Sequence, residues 1–221
     1  MDEEVTCPNC GEVISDNPDY FAEIADVTGT HIIMGGRVVG KTQMLIERVK
    51  KTWNHHGNSL VIAPKHDMVL QIRDRFRELF RGETLAHDES MYLSNCLSSV
   101  NFVSGFGSTT LSRVDLGLYD TVVVDEAAEI PEAVIMELYR SDVETIIFAG
   151  TPNPNAGVVE RMAAYNPTVT TWHISAETSQ IVPDEKVEQQ YQYLSSRQYD
   201  AEIKAKYWED DTMYFEPDYR Y

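Results

Sequence analysis

The eight residues Gly35-Gly36-Arg37-Val38-Val39-Gly40-Lys41-Thr42 carry the spacing GxxxxGK[ST]. Glycines let backbone N–H groups curl round phosphate oxygens at a helix N-terminus, where the peptide dipoles also favour anions. In such a loop Lys41 reaches the β/γ-phosphates and the Thr42 hydroxyl ligates Mg²⁺. A second group of residues complements the first. Thr121-Val122-Val123-Val124-Asp125-Glu126 delivers two carboxylates from an apolar, β-branched run. There Asp125 would hold Mg²⁺ through water and Glu126 would polarise the attacking water as general base. An Asp-Glu pair opening a helix is also favoured by the dipole alone; the upstream loop gives hydrolysis of a nucleoside triphosphate the greater weight. Third, Ile146-Ile147-Phe148-Ala149-Gly150-Thr151-Pro152-Asn153 reads as a strand entering a polar turn. Its Thr151 or Asn153 would sense a γ-phosphate.

These groups need a scaffold that brings them to one edge. Apolar runs His31–Met34, Leu60–Ala63, Val100–Val103, Thr121–Val124, Glu144–Ala149 and Val169–Ile174 predict strands. Between them, Tyr20–Asp26, Thr42–Trp53, Met68–Phe80 and Pro131–Tyr139 have helical spacing. Short, uniformly apolar strands alternating with helices imply a mostly parallel sheet with helices on both faces. In such sheets ligands bind at the carboxyl ends of the strands. Residues 181–208 read as helical and charged, and the acidic, aromatic tail to Tyr221 has no clear period.

The chain has 221 residues and a formal charge of −18, with 36 acidic residues against 7 Lys and 11 Arg. That length suits one domain with a small appendage. No apolar run approaches the roughly 18 residues of a membrane span, and the N-terminus MDEEVTCPNCG does not have the form of a secretory signal. The acidity fits a high-salt cytoplasm, where charge repulsion is screened, as well as it fits a simply acidic protein. Between Lys41 and Arg81 nine basic residues face four acidic ones. Nucleic-acid contact, if made, is therefore local. Lys65, Arg73, Arg75, Arg77 and Arg81 are its candidates; a solvated helix face is the alternative meaning of the same run.

The order GGRVVGKT, LVIAPKHDMVLQIRDRF, VNFVSG, DTVVVDEAAEIP, FAGTPNP resembles the ATPase domain of viral large terminases, the DNA-packaging motors of tailed phages and haloarchaeal viruses. The resemblance covers roughly residues 18–215. It implies a P-loop NTPase of the RecA/ASCE-like kind, with ATP and Mg²⁺ as its cofactors. By position it implies Gly35 to Thr42 with Asp125 for nucleotide, Thr42 and Asp125 for the metal, and Glu126 as the catalytic Glu. It places Thr151 in the coupling motif, offers Arg37 as an arginine finger in cis, and offers Arg113 as one acting in trans. It further implies double-stranded DNA, a portal and a small terminase subunit as partners, a homo-oligomeric ring, and a place in the host cytoplasm and transiently at the procapsid portal, with no membrane. The expected division is a leader over residues 1–19, the ATPase domain over 20–176, and a helical linker over 177–221. Large terminases usually add an RNase H-like nuclease domain. The sequence stops where that domain would begin: either a separate subunit supplies the nuclease, or the sequence is the ATPase part alone. The competing readings are a helicase-like DNA translocase subunit and a nucleotide-binding regulator with little turnover.

Cys7-Pro8-Asn9-Cys10-Gly11 has the form of half a zinc knuckle. A structural Zn²⁺ needs four ligands, and no second CxxC is present. Zinc at Cys7 and Cys10, a vestigial or dimer-shared knuckle, and plain thiols all stay open.

Overall fold

The computed structural model describes residues 5–6, 13–14, 20–36, 39–80, 91–104, 114–153, 157–176 and 194–205. Its centre is a seven-stranded sheet. The strands, in chain order, are β3 (Gly29–Gly35), β4 (Asn58–Ala63), β5 (Tyr92–Ser94), β6 (Ser99–Ser104), β7 (Thr121–Val124), β8 (Thr145–Gly150) and β9 (Thr170–Ile174). Their spatial order is β5-β6-β4-β7-β8-β3-β9. Every pairing is parallel except that of β5 with β6. β8 thus lies between β3, which leads into the glycine loop, and β7, which leads into Asp125-Glu126.

Helices fill the crossovers. They are α1 (Tyr20–Asp26), α2 (Lys41–Asn54), α3 (His66–Leu79), α4 (Glu132–Tyr139), α5 (Val158–Tyr165) and α6 (Ser196–Glu202). Alternate residues of each strand serve opposite faces. Ile33, Val61, Val123 and Ile147 pack under Ile24, Met44, Leu45, Val49, Phe76 and Ile203, from α1, α2, α3 and the end of α6. Ile32, Leu60, Val122 and Ile146 pack under Ile135, Leu138, Val159 and Met162 of α4 and α5. All four residues of β7 are buried. A strand covered on both sides gains from uninterrupted apolar residues, at roughly 1.5–3 kcal/mol per buried Val or Ile. Helices on both faces of a mostly parallel sheet agree with the sequence expectation.

The differences are local. Within the expected leader, β1 (Val5–Thr6) and β2 (Val13–Ile14) pair antiparallel. Cys7 and Cys10 lie between them and outside the described residues. β5 has three residues, α5 eight. Neither was expected, because a three-residue strand carries no measurable period. Of the expected helical stretch 181–208, α6 is the described part. Ser195 caps it by accepting from Gln198 N while Gln198 Oε1 accepts from Ser195 N. No helix among the described residues is long and apolar enough to cross a membrane.

Candidate active site at the carboxyl edge of the sheet

β3 ends in the glycine loop, and α2 begins at Lys41 immediately after it. Gly40 takes φ +84°, the left-handed region, as the residue before the helix; a side chain there would strain the turn that aims α2 at the loop. Gly36 meets a different demand. A Cβ on it would stand 2.5 Å from Ile203 O and 2.9 Å from Glu202 O. The end of α6 therefore rests on the glycine loop, with Ala176 N donating to Ile203 O at 2.7 Å.

The Lys41 side chain is buried and folded inward. Its Nζ donates to Gly35 O at 2.9 Å, Gly36 O at 2.8 Å and Thr151 Oγ1 at 3.1 Å. Thr42 Oγ1 donates to Asp125 Oδ2 at 2.8 Å. Asp125 keeps β7's course, its N donating to Ile62 O at 2.8 Å, and is 3% exposed. Burial pushes its carboxyl above the usual carboxylate range, and neighbouring Glu126 adds to the push; the Thr42 hydroxyl and Lys41 oppose it. Glu126 adopts φ +48°, ψ +50°. A non-glycine residue in that region costs on the order of 1–3 kcal/mol, and such strain gathers at functional sites. The turn half-exposes the Glu126 side chain and brings its Oε2 to 3.5 Å from Thr151 N.

Gly35, Gly36, Val39, Gly40, Lys41, Thr42, Asp125, Glu126 and Thr151 accordingly converge on the rim formed by β3, β8 and β7. Arg37, Val38 and Arg113 lie outside the described residues. The basic run of α3 is not the uniform face its spacing suggested. Arg73 is buried, its Nη2 2.7 Å and its Nε 2.9 Å from Asp74 Oδ1, so it does not face a solvent-side ligand. Lys65 pairs with Glu129 at 3.5 Å. Arg75 is exposed, and Arg81 is outside the described residues. Cys96 is exposed and forms no disulfide among the described residues.

Two contributors were not anticipated. One is the backbone of Glu202 and Ile203 over Gly36, which no side-chain pattern announces. The other is Glu160, 1% exposed on α5, which accepts from Asn153 N at 2.6 Å. An acid between Val159 and Met162, on the apolar side of a short helix, was its visible signal.

No protein-family model matches the chain, and no curated protein matches it by sequence. Solved structures do. The ATPase domain of the Thermus phage P74-26 large terminase superimposes with a TM-score of 0.69 at 16% identity, over 85% of this chain and 92% of that one. The chain has the fold of a phage large-terminase ATPase domain. The large terminase of bacteriophage HK97 matches with a TM-score of 0.63 at 10% identity, over 93% of this chain and 53% of that one. That of a thermophilic bacteriophage, in complex with ADP, matches with a TM-score of 0.68 at 13% identity, over 83% of this chain and 49% of that one. The same terminase has also been solved with ATP-γ-S. The chain spans about half the length of the latter two proteins.

Proposed function

We propose that the protein is an Mg²⁺-dependent ATPase that drives double-stranded DNA into a viral procapsid, as the ATPase part of a large terminase. One observation carries the reading. Thr42 Oγ1 touches Asp125 Oδ2 while Lys41 Nζ touches Thr151 Oγ1, so three segments far apart in sequence meet at one strand edge. Their residue types are those that phosphoryl transfer to water requires.

The donor set fits the metal. A buried carboxyl beside a hydroxyl, its pKa raised by burial and by neighbouring Glu126, offers hard oxygens to a small divalent cation. Mg²⁺ bound there by Thr42, and by Asp125 through water, would neutralise charge on the β- and γ-oxygens. The chain's own residues supply the rest. The loop amides and the start of α2 bind phosphate, and Lys41 exchanges the Gly35 and Gly36 carbonyls for phosphate oxygens. Glu126 orients and deprotonates the attacking water. Thr151, between Lys41 and Glu126, registers whether the γ-phosphate is present. Arg37 in cis or Arg113 from the next subunit stabilises the transition-state charge.

The same reading assigns residues 1–19 to a leader, 20–176 to the motor domain and 177–221 to a helical linker. It makes a homo-oligomeric ring the working form, with a portal and a small terminase subunit as partners in the host cytoplasm. Zinc at Cys7 and Cys10 would belong to the leader. The test is ATP hydrolysis with and without double-stranded DNA, for the wild type and Lys41→Ala. Hydrolysis that DNA stimulates and Lys41→Ala abolishes is the expected result. Hydrolysis indifferent to DNA would remove the motor and leave an ATPase of another kind.

A further inference from the structure

Glu160 is a buried acid that the reaction above does not use. It is the third residue of α5, where the helix dipole favours a carboxylate. Acids placed for that reason alone stay in water, because burying a charge is costly unless it is hydrogen-bonded. Glu160 is 1% exposed. Nor does it close on its own helix, as a capping-box residue does. Its Oε1 reaches back past the first residue of α5 to accept from Asn153 N at 2.6 Å, and its Oε2 has no hydrogen-bond partner among the described residues. Asn153 stands two residues beyond Thr151, whose hydroxyl meets Lys41 Nζ and whose amide stands 3.5 Å from Glu126 Oε2.

We infer that Glu160 is a positioning residue for hydrolysis: by holding the Asn153 amide it fixes the loop that presents Thr151 between Lys41 and Glu126. It acts through that loop rather than on the nucleotide or the attacking water. The inference rests on the ATPase reading and deepens it. A short charge-assisted bond on a buried carboxylate sets the loop rigidly. Misplacement of a reacting group by about 1 Å lowers a rate up to about a hundredfold.

The test compares Glu160→Met, which keeps volume and removes the acceptor, with Glu160→Gln, which keeps an acceptor at Oε1. Steady-state ATP hydrolysis by the full chain should show kcat down about tenfold or more in Glu160→Met. KM for ATP should stay within about twofold, and Glu160→Gln should restore kcat to within about threefold. The Asn153 amide, followed by hydrogen exchange, should be protected in the wild type and in Glu160→Gln and lose that protection in Glu160→Met. A Glu160→Met enzyme with wild-type kcat, a loss confined to KM, or an equal loss in both variants would overturn the inference. If Glu160→Met does not fold, the wild-type and Glu160→Gln exchange decides, and an unprotected Asn153 amide in either overturns it. A wild-type chain without Lys41-dependent hydrolysis would remove the ATPase reading instead, and the amide would still report on the pin.

Discussion

β7 and β8 carry a buried polar cluster at each end, and each cluster takes a cation from α2. At the amino ends, Thr121 and Thr145 stand side by side in register. Arg48 Nη2 donates to their hydroxyls at 3.2 and 2.9 Å, and its Nη1 donates to Ala25 O at 2.9 Å. Thr52 Oγ1 closes the group at 2.8 Å from Thr121 Oγ1. At the carboxyl ends, Lys41 and Thr42 meet Thr151 and Asp125. The seven helical steps from Lys41 to Arg48 span roughly 10 Å, so one helix serves both ends of the sheet. The amino-end acceptors are neutral hydroxyls and a carbonyl on regular backbone; burial lowers the pKa of Arg48 there, and its Nε has no hydrogen-bond partner among the described residues. The carboxyl end combines a carboxyl displaced upward in pKa, a left-handed glutamate, and a lysine spending its donors on its own loop's carbonyls. Burial of polar groups alone therefore does not mark a site. What separates the carboxyl end is its pair of adjacent acids and the left-handed backbone of Glu126, a strain of the kind that gathers at functional sites.

Mutation separates the two ends, beginning with the largest effect. Lys41→Ala should lower ATP hydrolysis by on the order of a hundredfold to a thousandfold while shifting stability by less than about 1 kcal/mol, as read by denaturant unfolding beside the rate assay. The reverse is expected of Arg48→Ala. Loss of a buried side chain together with the partners of two hydroxyls should cost roughly 3 kcal/mol, with kcat of the folded protein within about threefold. An Arg48→Ala protein of wild-type stability but without activity would merge the two ends into one site. Gly36→Ala tests the seam between the carboxyl end and α6. The 2.5 Å approach to Ile203 O leaves no room for a methyl group, and relief should cost about 1–3 kcal/mol, seen as a melting point lower by several degrees. An unchanged melting point would separate α6 from the loop.

The smallest effect is one of pH. Burial lowers the pKa of His31, beside Arg48, and of His173, beside the Ala205 backbone. Each ring binds its proton less readily folded than unfolded. Stability is therefore complete above the unfolded value of about 6.5 and is lost as pH falls through it toward the folded value. The melting point should fall between pH 7.5 and 5.5, and His31→Gln should flatten part of that slope. A slope unchanged by His31→Gln would show that this ring is already solvated.

Much of this was legible in the residues. Thr121–Val124 is a strand within the bounds its four β-formers suggest, and Tyr20–Asp26 is a helix within the expected bounds. GxxxxGK[ST] and the Asp-Glu pair meet as expected because local spacing fixes each, and a parallel sheet sends both to one edge. What stayed hidden depends on tertiary neighbours. Arg73 has the spacing of its exposed neighbour Arg75, yet it is buried against Asp74 and Met91. The seat of Gly36 under Ile203 is a backbone contact between residues 167 positions apart, with no side-chain signature. The pairing of Val5–Thr6 with Val13–Ile14 is too short to show a period.

The central claim is that a triphosphate held between the glycine loop and the Asp125-Glu126 pair is cleaved there by water. A single-turnover experiment with γ-labelled ATP on the wild type and Glu126→Gln addresses it most directly. The account predicts that Glu126→Gln retains ATP as tightly as the wild type and releases labelled phosphate at least about a hundredfold more slowly. Phosphate released by Glu126→Gln at the wild-type rate would contradict it.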